Sequence, residues 1–211
     1  RTIAVDFRID RIAAQENYSQ IDNYYLNFDH GWAVPILQSL IKAVMKNNPD
    51  RKISLIGHSL GATIIRDAIR RNFVAFAEGK QGAVNPLPRI QDVILLHSAN
   101  HGVANYEANC GVYTSMQGTA SCELGNREDY TPTYFLEPIN GPDDAFVTPC
   151  GDGKNAYGGN ALIEKDIDTL CGDNTIQYTT ITMKDAITSA GKLRDEFVTE
   201  DSAKLNSEFC D

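Results

Sequence analysis

Long apolar runs are missing from this 211-residue sequence. No stretch approaches the roughly 20 apolar residues that a membrane-spanning helix needs, and nothing at its start has the form of a signal peptide. Positive charge is scarce: 19 Lys and Arg stand against 28 Asp and Glu, a formal net charge of −9. Nucleic acid and anionic membranes are therefore poor partners, because both are held through clustered cations. The acidic residues are scattered, as on a solvated face. No C-x-x-C pair occurs among the five cysteines, which removes the usual zinc frameworks. Histidine is short too: only His30, His58, His97 and His101 are present.

What is there suits one domain with a sizeable core, since 42% of the residues are apolar. Cys110, Cys122, Cys150 and Cys171 fall in one polar, glycine-rich stretch between two apolar runs, and Cys210 stands apart. Local disulfides in a long loop are the preferred reading over buried free thiols, and they imply an oxidising, secreted or periplasmic setting. Proximity favours Cys110–Cys122 and Cys150–Cys171, although sequence does not fix a pairing, and Cys210 is left to pair outside the chain.

Apolar residues at helical spacing, from Val34 through Leu37, Leu40, Ile41 and Val44, predict a helix over 32–45 with Pro35 in its first turn and Asn47-Asn48-Pro49 as its stop. Strands are expected at 1–8, 52–56, 90–97 and 176–182. Strands alternating with helices argue for a parallel, doubly wound α/β sheet. Residues 103–172 break that rhythm. A structureless loop of that length is uncommon in a compact domain, so a disulfide-stapled cap insertion is expected, placed over the carboxyl ends of the strands. Its aromatics, among them Tyr106, Tyr113, Tyr130, Tyr134, Phe135 and Phe146, either line an apolar channel or form the cap's own core. The expected division is thus 1–102 core, 103–172 cap, 173–211 core.

Between the strand at 52–56 and a helix-like stretch from Ala62 lies Gly57-His58-Ser59-Leu60-Gly61. A serine at such a turn has a strained backbone that pushes its hydroxyl outward, and small residues two positions either side let strand and helix approach. In this strand–turn–helix setting the chain resembles the α/β-hydrolases, in particular their secreted lipases and esterases. Further stretches carry the likeness. Residues 1–8 look like a strand ahead of the elbow, Ile90–His97 like the strand after it, and Ser98-Ala99-Asn100-His101-Gly102-Val103 is similar to a lipase turn. Residues 176–182 look like the strand leading to the catalytic acid.

The resemblance implies a serine ester hydrolase working through an acyl-enzyme on an ester or lipid, with no metal or organic cofactor. Ser59 would be the nucleophile and the N–H of Leu60 an oxyanion donor. For the acid, Asp195 in Arg194-Asp195-Glu196-Phe197-Val198, followed by Ser202-Ala203-Lys204-Leu205, is similar to the lipase pattern; Asp185 is the second candidate. The family order of serine, acid, histidine leaves no histidine after either aspartate. His58 and His30 read as structural or surface residues, and His101 as a weak alternative base. The strand that supplies the family's second oxyanion donor is not found ahead of Arg1. The chain therefore reads as the middle portion of a longer hydrolase, its catalytic histidine coming from missing segments or another chain. The competing reading is a hydrolase-derived binding or assembly module without a complete triad.

Overall fold

The helix expected over 32–45 is α1, Ala33–Asn47. Its buried side chains Ala33, Val34, Leu37 and Ile41 form one stripe. Asn47 Nδ2 donates to Ala43 O and Asn48 Nδ2 to Val44 O, both at 2.9 Å, so side chains satisfy carbonyls that the helix end leaves over. The Arg89 guanidinium then donates to the carbonyls of Asn48 and Arg51 and closes the turn into the sheet. The computed structural model from which these contacts come describes residues 2–5, 33–104, 124–125, 136–140, 148–151, 169–182, 198 and 200–203.

β1 (Ile53–His58), β2 (Ile90–Leu96) and β3 (Gln177–Ile181) form a sheet in that order, parallel throughout. Leu55 lies opposite Val93, itself opposite Tyr178; Gly57, Leu95 and Thr180 form the next row on the same face. Helix α2 (Leu60–Ala77) packs on β1 and β2, and α1 packs on α2. Val93, Leu95, Ile69 and Phe73 are fully buried between these layers. At its far end α2 stops with Gly79 in the left-handed region, φ 66°. Gly79 N donates to Phe76 O at 3.0 Å and Lys80 N to Ala75 O at 2.9 Å, the paired closure in which glycine carries the positive φ.

One expectation stands in its coarser form and another changes here. On the opposite face of the sheet Ile56 and Ile181 are 65% and 53% exposed. A doubly wound arrangement needs a layer there that the described residues do not supply, so the shown architecture is the coarser one: a parallel α/β sheet with its helices α1 and α2 stacked from one side. Residues 2–5, expected in a strand, join no ladder, and Ile3 is 50% exposed. Without a partner's N–H and C=O groups an apolar segment alone does not make a strand.

The long connection from β2 to β3 has a topological duty that its composition hides. Two parallel neighbours require the chain to leave at the carboxyl end of one and re-enter at the amino end of the next. Val103 N donates to Gly125 O at 2.8 Å, and α3 (Glu137–Asn140) meets α2, so this part stays near the carboxyl ends. Cys150 and Cys171 form a disulfide. Ile176 N donates to Cys150 O at 2.8 Å, directly before β3 begins. Asn85 Nδ2 donates to Leu170 O at 2.6 Å, and Asn174 Nδ2 to both Leu87 O and Ile90 O at 2.7 Å. The staple therefore sits at the amino ends of the strands. The disulfide-bonded end of the expected cap anchors the return of a crossover at the amino ends of the strands, and most of 103–172 lies outside the described residues. Cys110, Cys122 and Cys210 lie outside the described residues, as do the channel aromatics.

Candidate active site

β1 ends at His58, and α2 begins at Leu60, leaving Ser59 alone to reverse direction. Its backbone has φ 52° and ψ −126°, a region that side-chain-bearing residues avoid at a cost of about 1–3 kcal/mol. The conformation is held from both sides: Ser59 N donates to Leu96 O at 2.8 Å, extending the β1–β2 ladder, and Ala62 N donates to Ser59 O at 3.0 Å. The reason strand and helix tolerate such closeness is Gly57. A Cβ there would stand 2.7 Å from Ala62 Cα and 2.8 Å from its N, below any real contact distance. Gly61 differs: a Cβ there meets nothing within 4 Å. Only one of the two flanking glycines is thus a steric requirement of the turn itself.

The chemistry follows from where this places the hydroxyl. Ser59 occupies the N-cap position of an 18-residue helix, yet its side chain makes no capping hydrogen bond. Among the described residues none is bonded to its hydroxyl oxygen. Leu60 begins the helix, so its N–H has no intrahelical acceptor. That unused donor, with the partial positive charge of about half a unit that accumulates at a helix N-terminus, stands beside the serine where a negative oxygen would be stabilised. Ser59 and Leu60 are both half-buried.

Of the remaining expected residues, His58 is exposed at the strand end, and His97 and His101 are buried. His97 takes φ 48° and donates its backbone N–H to Ile181 O at 2.7 Å. His101 receives support at its backbone, where its N–H donates to Ser202 Oγ at 3.3 Å. No described hydrogen bond joins either imidazole to Ser59, so the alternative in which His101 bridges serine and acid gains no support. Asp195, Asp185 and His30 lie outside the described residues. Among those described, no cluster of three His, Cys, Asp or Glu is arranged to hold a metal ion.

A buried polar network next to the turn after β2 was not visible in the motifs. Arg66, on α2 two turns beyond Ser59, donates to Asn100 Oδ1 at 3.2 Å and Asn140 Oδ1 at 2.7 Å. Ser98 Oγ donates to Asn100 Oδ1 at 2.9 Å, and Asn140 Nδ2 donates to the Asn100 carbonyl. Asn100 Nδ2 donates to Ala203 O at 3.0 Å, and Ser202 Oγ to Gly102 O. Arg66 is 5% exposed, and Ser98, Asn100, Asn140 and Ser202 are fully buried. The available signal was Arg66-Asp67, a charged pair set directly after the mainly apolar run Ala62–Ile65 of the helix.

With the turn described, its relatives can be stated. A family model described as Lipase (class 2) matches residues 17–157, about two thirds of the chain, with Ser59 and the turn after β2 inside the matched span. No curated protein and no solved structure shows a significant match.

Proposed function

The chain belongs to the class 2 lipase family, and on that premise we propose that it is a carboxylic ester hydrolase of lipase or esterase type with Ser59 as its nucleophile. The observation that carries the proposal is the backbone of Ser59, φ 52° and ψ −126°, at a turn closed by Gly57. A structural N-cap serine would bend its hydroxyl back onto the helix; this one does not.

In the proposed reaction Ser59 Oγ attacks the ester carbonyl while an imidazole takes its proton. The Leu60 N–H and the helix N-terminus stabilise the resulting oxyanion. The alcohol leaves as the imidazole returns the proton, and water then releases the acid from the acyl-enzyme. Asp195 is proposed as the carboxylate that orients the imidazole. No described hydrogen bond joins His97 or His101 to Ser59, so the imidazole is assigned to neither of them. The Cys150–Cys171 disulfide supports a secreted or periplasmic location, where such bonds persist.

A labelled fluorophosphonate tests the reading, because it reacts only with an activated serine. The natural protein should label at Ser59 and hydrolyse 4-nitrophenyl esters, and Ser59→Ala should abolish both. A properly folded protein that neither labels nor hydrolyses would instead favour a binding module that has kept the elbow alone.

A further inference from the structure

We propose that Asn100 and Ser202 are positioning residues, which clamp the chain following Asp195 onto the turn adjoining Ser59; this rests on the reading of Ser59 and Asp195 given above. The turn after β2 begins one residue beyond Leu96, whose carbonyl accepts the Ser59 N–H. Its four residues Ser98, Ala99, Asn100 and His101 are at most 1% exposed. Onto this turn folds the segment with Val198 buried and α4 (Glu200–Ala203) next to it. Val198 lies three residues after Asp195, so the covalent chain keeps the two Cα atoms within about 11 Å of one another. Fixing 198–203 therefore bounds where the carboxylate can be.

The fixing is chemically specific. Arginine can only donate, so Arg66 dictates that Asn100 turns Oδ1 towards it, and Nδ2 is thereby aimed at Ala203 O, 3.0 Å away. Asn140 is oriented the same way, with Oδ1 on Arg66 and Nδ2 on the Asn100 carbonyl. Ser202 uses its hydroxyl twice, accepting from His101 N and donating to Gly102 O. Two side chains thus make three described bonds across one seam, which joins the turn after β2 to the segment 198–203 that follows Asp195 in the chain. Arg66 connects the same turn to the helix that starts at Ser59. A nucleophile and an acid carried on separate stretches of chain need such a shared anchor, since small misplacements of a reacting group cost large factors in rate.

Asn100→Asp isolates the clamp. It keeps the shape and improves pairing with Arg66, but sets a carboxylate oxygen against the Ala203 carbonyl. Ser202→Ala removes the other arm and leaves the amide network intact. Both are made in the full natural protein, and active serines are counted by fluorophosphonate titration so that any unfolded fraction drops out. Per titrated serine, kcat for a 4-nitrophenyl ester should fall at least tenfold in Asn100→Asp and severalfold in Ser202→Ala, with KM changed less than twofold. The acid limb of kcat/KM should move to lower pH, because an imidazolium that loses its carboxylate gives up its proton more readily. Unchanged kcat per serine and an unmoved acid limb in both variants would overturn the proposal. If Asn100→Asp titrates no serine, Ser202→Ala alone decides it. Ser59→Ala and Asp195→Asn run beside them: wild-type turnover in either means the site itself was misread, whereas loss in both with the clamp variants unaffected refutes the positioning role only.

Discussion

Gly57 and Gly61 flank Ser59 symmetrically in sequence, yet alanine at the two positions should change stability in opposite directions. A Cβ on Gly57 would lie 2.7 Å from Ala62 Cα, 2.8 Å from Ala62 N and 2.8 Å from Gly61 O. All three are backbone atoms at the start of α2, so no side chain can swing away. Relief requires α2 to move off β1 by about 0.7 Å or more to reach ordinary contact, and overpacking of this kind costs about 1–3 kcal/mol. The Ser59 φ/ψ is set by the two hydrogen bonds that would have to shift. At Gly61 a Cβ meets nothing within 4 Å, and the residue already lies in helix. Alanine there should add about 0.5–1 kcal/mol by reducing the freedom of the unfolded chain. Urea unfolding followed by far-UV circular dichroism measures both. Gly57→Ala should lower the midpoint and remove fluorophosphonate labelling, while Gly61→Ala should raise the midpoint. If the two variants shift the midpoint equally, or Gly57→Ala is neutral, the steric account of the turn is wrong.

Three further outcomes follow from particular contacts. Ser59→Gly should stabilise the fold by about 1 kcal/mol while abolishing ester hydrolysis, because glycine adopts φ 52° without strain; a destabilised variant in urea unfolding would show that the turn is not strained. Replacing Cys150 and Cys171 together by serine should cost about 3 kcal/mol from loop-closure entropy, given their separation of 21 residues. Labelling at Ser59 should persist below the new midpoint, since the staple lies at the far ends of the strands; loss of labelling in the folded variant would contradict that placement. Burial holds the Tyr178 phenol well above its ordinary range, only partly offset by Arg66, and its hydroxyl donates to Pro149 O at 2.9 Å. Above about pH 10 the unfolded phenol ionises while the native one keeps its proton, so the native state binds more protons and stability falls with rising pH, by at most about 1.4 kcal/mol per unit. Tyr178→Phe should therefore be less stable than the natural protein at pH 8 and lose that disadvantage by pH 11; a constant difference in urea midpoint across this range would refute the assignment.

The elements that could be read from sequence are those set by local rules. Val34, Leu37 and Ile41 announce α1 by spacing alone, and the mainly apolar runs Ile53–Ile56 and Ile90–Leu96 announce β1 and β2 of the parallel sheet. The serine turn was legible because its strain restricts the composition around it. What stayed hidden depends on contacts between distant residues. Arg66 meets Asn100 and Asn140 across 34 and 74 positions, and Asn100 meets Ala203 across 103. Nothing local marks an asparagine as buried and committed. The position of Cys150–Cys171 stayed hidden for a similar reason: composition carries no sign that the pairing of β2 with β3 obliges the chain to return to the amino ends. Of residues 1–8 only 2–5 are described, and over those four the apolar pattern found no ladder partner and gave no strand.

Two of the three described non-glycine residues with positive φ lie at the carboxyl ends of the strands, beside a buried polar network. Ser59 and His97, each immediately past the carboxyl end of its strand, carry positive φ, and both still donate to the neighbouring strand, at Leu96 O and Ile181 O. Each such backbone costs on the order of 1–3 kcal/mol, and neither persists unless the surroundings over-determine it. The surroundings that do so are unusual for a core: a guanidinium, two asparagines and two serines fully or almost fully buried beside Ala99 and Leu136. An apolar core packs by volume and accepts small slides between elements. An amide held by arginine on one side and a carbonyl on the other has one geometry, and departure from it leaves a buried polar group unsatisfied at about 1–3 kcal/mol. A polar network at these strand ends thus supplies the directional rigidity that methyl groups cannot, and it supplies it where the strained backbone of Ser59 needs a fixed frame.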